Sequence, residues 1–335
     1  MAGDTGVVRI LQIGMGPLGK KMVVFASARK SMKVVAAVDK DPALKGKKLS
    51  ELCGIAGLNV TVTDSLVDAV IKGKPDVVVL TTVSDMARLS DQLDEILQFR
   101  LPVVSTCEEL TYPWDASTKF AKRVDAAARK ARVAVLGTGV NPGYLMDTLP
   151  IALTAVCQNV EAIKVSRIQD ARFRRIPFQK KIGAGLSLDE FEAKRKDGSL
   201  RHVGLTQSMQ MIASRMGWKL DKTEDVITPI VTSAKIVTDA MTIPKGHASG
   251  VQQIGRGWEG KKERITLMFR AAINEPNPAD TVEISGDPNI KSTIPGGVNG
   301  DVATCAITLN AVQTVLKAEP GLRTMADVPL VSFKL

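Results

Sequence analysis

Three stretches of this 335-residue chain carry residues whose types and spacing could do chemistry. In Ser105-Thr106-Cys107-Glu108-Glu109-Leu110, two carboxylates follow an apolar run. In a crevice, such a carboxylate could deprotonate an ammonium ion or relay protons while a carbinolamine breaks down. The same acids would equally favour the start of a following helix, whose N-terminal end is electropositive. In Gly137-Thr138-Gly139-Val140-Asn141-Pro142-Gly143-Tyr144, glycines and a proline could hold backbone against a flat cofactor ring, with Asn141 offering both a donor and an acceptor. An ordinary strand-to-helix connection would read the same way. In Ile294–Asp301, with Thr304 beyond, glycine-rich backbone opens a helix and could capture an anionic group. Asp301 could also be no more than a helix cap.

The first strand narrows the class of cofactor. Val7–Ile13 is an apolar run, Lys20–Arg29 has apolar residues at helical spacing, and between them lies Gly14-Met15-Gly16-Pro17-Leu18-Gly19. Gly14 permits a tight turn, Gly16 lets backbone approach a pyrophosphate, and Gly19 lets helix and strand pack closely. A second strand, Val34–Val38, ends on Asp39, about 20 residues beyond Gly19, where a carboxylate accepts hydrogen bonds from a ribose. This context points to NAD or NADP. Asp39 favours the free ribose hydroxyl of NAD, while adjacent Lys40 could offset repulsion of a 2′-phosphate. Pro17 and Leu18 in the glycine loop, Thr81, Thr82 and Ser84 after a later strand, and Cys107 join the expected cofactor contacts.

Neither histidine has a partner at ligand spacing, so His202 and His247 read as structural or surface residues. Arg167, Asp170 and Arg172 end or follow a strand. They could bind a substrate carboxylate or form structural ion pairs.

Strand and helix signals alternate through the first 136 residues. Helices are expected near Ala43–Cys53, at Ser65–Lys72, Met86–Gln98 and Ala116–Ala131. Strands are expected at Val60–Val62, Val77–Leu80, Val103–Val104 and Val133–Leu136. The pattern implies an α/β, Rossmann-type, doubly wound parallel sheet with its ligand at the strands' C-terminal ends. Beyond residue 159 the character changes to α+β. Strands are expected at Val160–Ile168, Val226–Thr242 and Arg264–Ile273, and helices at Thr206–Met216 and Val302–Leu316. The expected division is a dinucleotide-binding domain at 1–140, a substrate and dimerisation domain at 141–299, and a C-terminal helical segment, 300–335, packing back on the first. The reaction site is expected where first-domain loops meet the second domain.

A net charge of +10 raises nucleic-acid binding, but the basic runs carry almost no aromatics and no recognition motif, so none is expected. A positive field would instead attract anionic small molecules. No apolar run approaches the roughly 20 residues needed to cross a bilayer. Met1-Ala2-Gly3-Asp4 lacks the basic region of a signal peptide. Four cysteines without a paired spacing speak against structural zinc or a disulfide framework. The expectation is a soluble cytoplasmic protein without a metal.

At these motifs, joined by Phe178-Gln179-Lys180-Lys181-Ile182-Gly183 and His202-Val203-Gly204-Leu205, the chain resembles the 2,4-diaminopentanoate dehydrogenase family and its amine dehydrogenase relatives. The resemblance spans nearly the whole chain and implies a dihydrodipicolinate reductase-like fold. It also implies homodimers built through the second domain and NAD(P)-dependent interconversion of a ketone plus ammonia with a primary amine. It assigns ammonia and proton handling to Glu108, makes Asn141 a site-lining residue, and has Leu145 and Met146 shape the pocket. Asn299 departs from the family pattern, where many relatives carry a histidine, so a simpler amine or ketone stands beside a diamino acid as substrate. Two other readings remain: a reductase of a preformed cyclic imine, and a cofactor-binding regulator without turnover.

Overall fold

The computed structural model describes residues 6–333; the Met1–Asp4 stretch lies outside them. The chain forms two compact units, Met1–Tyr144 with Gly300–Leu335, and Leu145–Asn299.

The first unit is built on parallel strands β1 (Val8–Ile13), β2 (Met32–Val38), β3 (Val62–Thr63), β4 (Val77–Leu80), β5 (Val103–Ser105) and β6 (Ala134–Gly137), with β15 (Gly321–Arg323) from the far end of the chain. Their order, β15-β6-β5-β4-β1-β2-β3, reverses direction of growth between β1 and β4. A doubly wound sheet opens its ligand crevice at such a point. Strands β4, β5 and β6 are buried at every residue, which is why they read as unbroken apolar runs rather than alternating ones. Helices α1 (Pro17–Ser27), α2 (Leu49–Cys53), α3 (Leu66–Gly73), α4 (Met86–Leu97) and α5 (Thr118–Ala131) connect them. Leu89, Leu93 and Ile96 of α4 share a core with Val124 of α5, Val78 and Val103. The later helix α10 (Gly300–Val315) packs against α1 and β5.

Two expectations for this unit are corrected. The helix near Ala43–Cys53 shrinks to α2. Asp41 takes the Ala43 amide on its side chain, Gly46 adopts φ +81°, and the amides of Gly46 and Leu49 donate to Val62 and Val60. Those amides are therefore spent on β3 and its approach. The 300–335 segment is helical only to Val315; Pro320 and Gly321, at φ +126°, turn the chain into β15.

The second unit begins with α6 (Thr148–Leu153) and β7 (Asn159–Asp170), followed by α7 (Ile176–Lys181), α8 (Leu188–Lys196) and α9 (Leu205–Met216). Next come β8 (Lys222–Val231), β9 (Ile236–Val237), β10 (Thr242–Ile243), β11 (Ala248–Glu259), β12 (Lys262–Ala272), β13 (Ala279–Asp287) and β14 (Ile290–Pro295). Six of these strands form one mixed sheet, β14-β13-β7-β12-β11-β8, whose single parallel pair is β7 with β12. Helix α9 lies on β11, where side chains at Gly255 and Gly257 would run into Leu205, Met209 and Leu220. The long strand expected over Val226–Thr242 is broken. β8 stops at Val231, the Thr232 hydroxyl bonds the Ala234 carbonyl, and Thr238 accepts the Ala240 and Met241 amides to turn a small hairpin.

Candidate active site

In the first unit the glycine loop follows β1 and opens α1, with Gly16 at the N-cap and Pro17 in the first turn. The three glycines are needed for different reasons. A Cβ on Gly14, at φ +88°, would lie 2.5 Å from the Thr81 carbonyl oxygen, and one on Gly19 would lie 1.9 Å from the Gly14 carbonyl oxygen. At Gly16 a Cβ would meet nothing within 4 Å. Gly14 and Gly19 are thus required by the protein's own packing. Gly16 leaves open space at a helix end whose first turn carries no acidic residue, the surroundings a pyrophosphate needs.

The loop is pinned from beneath by Gln12. Its buried amide donates to the carbonyls of Ile13 and Gly14 and to the Thr81 hydroxyl at 2.8 Å, and that hydroxyl also donates to the Gly14 carbonyl. Sequence reasoning missed Gln12; its signal is a polar residue one position before the end of a buried strand. Asp39 accepts the Met15 amide at 2.5 Å and the Asp41 amide at 2.8 Å, so its carboxylate already braces the loop. A cavity of about 470 Å³ is lined by Gly14, Gly16, Asp39, Lys40, Thr81 and Thr82 among others. The Lys40 ammonium donates to the Asp64 carbonyl. Pro17 is exposed and Leu18 half-buried on the first turn of α1. These residues fit a dinucleotide: a cradle without a side chain, a helix N-terminus and a carboxylate.

Two neighbouring strand ends carry the remaining first-unit candidates. After β5, Cys107 to Thr111 form a tight turn in which Leu110 donates to the Cys107 carbonyl and Thr111 to that of Glu108. Cys107 itself is sunk in the core, where burial pushes its thiol up to about 12, so its side chain is absent from the cavity wall. Glu109 accepts the Met86 amide at 2.8 Å, and its own amide donates to the Ser84 carbonyl. Glu108 is half-buried and makes no side-chain hydrogen bond or ion pair with the described residues. At the last residue of β6, a Cβ on Gly137 would lie 2.6 Å from the Leu110 carbonyl carbon, so this glycine admits the glutamate-bearing turn. The Val140 amide donates to the Thr304 hydroxyl of α10. Both polar atoms of the Asn141 amide are buried without a partner, an arrangement costly unless a bound group completes it.

The second unit holds the other candidates. Leu145 and Met146 are buried, and Asp147 caps α6 while accepting the Ser208 hydroxyl. Arg167, 2 % exposed, donates to the Val298 carbonyl, while Asp280 accepts the Val298 amide. Arg167 and Asp280 face each other at 3.9 Å. Burial lowers Arg167 to about 10, against the pull of Asp280, and raises Asp280. The pair clamps the 296–299 loop, the structural one of the two roles open to Arg167; its Nη1 has no hydrogen-bond partner. Asn299 lies on the wall of a 720 Å³ pocket with Gln169, Arg174 and Glu275. Asp170 pairs with Arg172. His202 stacks on Phe269 at 4.6 Å, and burial, aided by the charges of Lys181 and Arg167, lowers it to about 3. Among the described residues no group of acids, cysteines and histidines could hold a metal ion, and no helix is long and apolar enough to cross a membrane.

A switch-point crevice carrying a glycine loop and a ribose-type carboxylate defines the Rossmann-type NAD(P)-binding dehydrogenase fold. The chain belongs to the family defined by the 2,4-diaminopentanoate dehydrogenase C-terminal domain, whose model matches residues 144–333. Residues 8–107 match the N-terminal domain of dihydrodipicolinate reductase. The chain is 29 % identical over 331 residues to a 2,4-diaminopentanoate dehydrogenase of Acetoanaerobium sticklandii, covering 96 % of this chain and 94 % of that one. It is 23 % identical to an amine dehydrogenase of Streptomyces virginiae, covering 95 % of each. In fold it is similar to an amine dehydrogenase from Mycobacterium smegmatis, with a TM-score of 0.85, 19 % identity and coverage of 98 % of this chain and 97 % of that one. A dihydrodipicolinate reductase from Paenisporosarcina sp. TG-14 matches more distantly, with a TM-score of 0.51, 13 % identity and coverage of 96 % and 98 %.

Proposed function

We propose that the protein is an NAD(P)H-dependent amine dehydrogenase, aminating a ketone or aldehyde with ammonia and running the reverse deamination. The observation that carries this reading is the arrangement of adjacent strand ends in one sheet: the glycine loop after β1, Thr81 to Ser84 after β4 and Glu108 after β5. When bound, the nicotinamide cofactor supplies or accepts a hydride. Gly16 and the first amides of α1 hold its pyrophosphate, and Asp39 takes the ribose hydroxyls. Thr81, Thr82, Ser84 and the main chain at Cys107 border it. Glu108 binds ammonium, takes a proton from it to release the nucleophile, and returns a proton to the carbinolamine hydroxyl as water leaves. Asn141 orients the substrate through its unpartnered amide, with Thr304 fixing the loop that bears it. In the second unit Leu145, Met146 and Asn299 shape the substrate's surroundings, and Arg167 acts there chiefly by holding Val298 in place.

Asp39 and the tethering of Lys40 to Asp64 favour NAD, with NADP tolerated. We further propose division into a dinucleotide-binding and a substrate-binding domain, a homodimer made through the latter, and a cytoplasmic location. The match of residues 8–107 to a dihydrodipicolinate reductase domain supports a second reading, reduction of a preformed cyclic imine. NADH oxidation is measured with a panel of ketones, aldehydes and 4-oxopentanoate, each with and without ammonium. Ammonium-dependent turnover is expected. Turnover of a cyclic imine without ammonium selects the second reading, and NADH binding with no turnover leaves a regulator.

A further inference from the structure

We infer that Glu109 is a positioning residue that locks Glu108 to the loop after β4, so that proton handling and the cofactor loop move as one piece. The inference rests on the proposed role of Glu108. The two glutamates are adjacent, yet the fold uses them differently. Glu109 makes a reciprocal pair of bonds across two strand ends: its carboxylate accepts the Met86 amide at 2.8 Å, and its amide donates to the Ser84 carbonyl at 3.3 Å. Met86 is the first residue of α4, so its amide has no intrahelical acceptor. Asp85 satisfies the Arg88 amide of the same turn, leaving that of Met86 to Glu109.

The consequence for Glu108 is geometric. Its carbonyl is tied to the Thr111 amide and its neighbour Cys107 is buried in the core. On the other side, Gly137 permits contact with the Leu110 carbonyl carbon. With Glu109 anchored, both flanks of Glu108 are held. The same anchor reaches Ser84, three residues from Thr81, which bonds the glycine loop. A carboxylate is not itself required by this role. An acceptor of the right reach is.

Reach and charge separate in the variants. Glu109→Gln keeps an oxygen at the same distance; Glu109→Asp keeps the charge but falls one methylene short; Glu109→Ala loses both. In each, kcat and KM for ammonium are measured, together with NADH affinity by fluorescence titration and the melting temperature. Expected are a fall in kcat of about tenfold or more and a raised ammonium KM in the Asp and Ala variants, with rescue by Gln. NADH should still bind in all three. The proposal is overturned if Asp rescues and Gln does not, or if Asp and Ala lower only the melting temperature. It is also overturned if Gln abolishes turnover with NADH bound, which would make Glu109 the proton-handling group. Glu108→Gln is run alongside: full activity there removes the reading of Glu108 instead, a result distinct from any of these.

Discussion

At the scale of single residues, the fold separates groups that look alike in sequence. Glu108→Gln is expected to abolish amination, by about a hundredfold or more, while NADH titration stays near wild type; near-normal turnover would remove Glu108 from its role. Gly16 and Gly19 also part company. Gly16→Ala meets no protein atom, so melting should be unchanged while NADH binding weakens. Gly19→Ala drives a methyl into the Gly14 carbonyl oxygen and should lower the melting temperature even without cofactor. His202 makes a pH prediction with a definite sign. Its folded value of about 3 lies below the ordinary 6.5, so between those values the unfolded chain binds the proton that the folded one refuses. Stability is then lost as pH falls through that window, by a slope approaching about 1.4 kcal/mol per pH unit. Melting at pH 7 and 4.5 should show a smaller acid loss in His202→Phe than in the parent, and equal losses would count against it. The glycine motif and Asp39 were legible because their spacing is local. The anchoring by Gln12 and Glu109 was not, since each depends on a partner far off in sequence, Thr81 or Met86.

At the scale of elements, sequence pattern succeeds where burial is uniform and fails where packing is unusual. Strand β4 matches its expected limits because Val77 to Leu80 are all buried. Strand β11 has no counterpart among the expected elements: Gly250, Gly255 and Gly257 bring no side chain to a strand pattern, yet each marks a close approach. At Gly250 a Cβ would lie 2.0 Å from the Ala271 carbonyl oxygen; at Gly255 the nearest atom is the Met209 methyl at 2.9 Å. The first obstacle is backbone and the second a flexible tip. Gly250→Ala is therefore expected to destabilise by about 2 kcal/mol or more, and Gly255→Ala by about 1 or less. Denaturation of the two variants under one condition checks the order, and reversed costs would refute this account of β11. The loss of the expected helix over Ala43–Cys53 has a similar cause: Gly46 and Leu49 amides serve β3, a bond that local periodicity does not register.

At the scale of the whole chain, the first unit is discontinuous: it is interrupted after Tyr144 and resumes at Gly300. Helix α10 covers α1 and β5, and β15 closes the β6 edge, with the Leu322 amide held by Asp125. A chain ending at Asn299 is expected to lose NADH binding and cooperative melting, because Cys305, Leu309 and Val312 are all buried; retention of both would mean that 6–144 suffices. The interruption also sets a calendar for synthesis. Ribosomes extend chains at about 5–20 residues per second, so on the order of ten to thirty seconds separate the emergence of Tyr144 from that of Gly300. For that interval β6 presents a naked edge and α1 an uncovered flank. The unit begun before the other is thus completed only after it, and a chaperone waiting there would have a defined surface to shield.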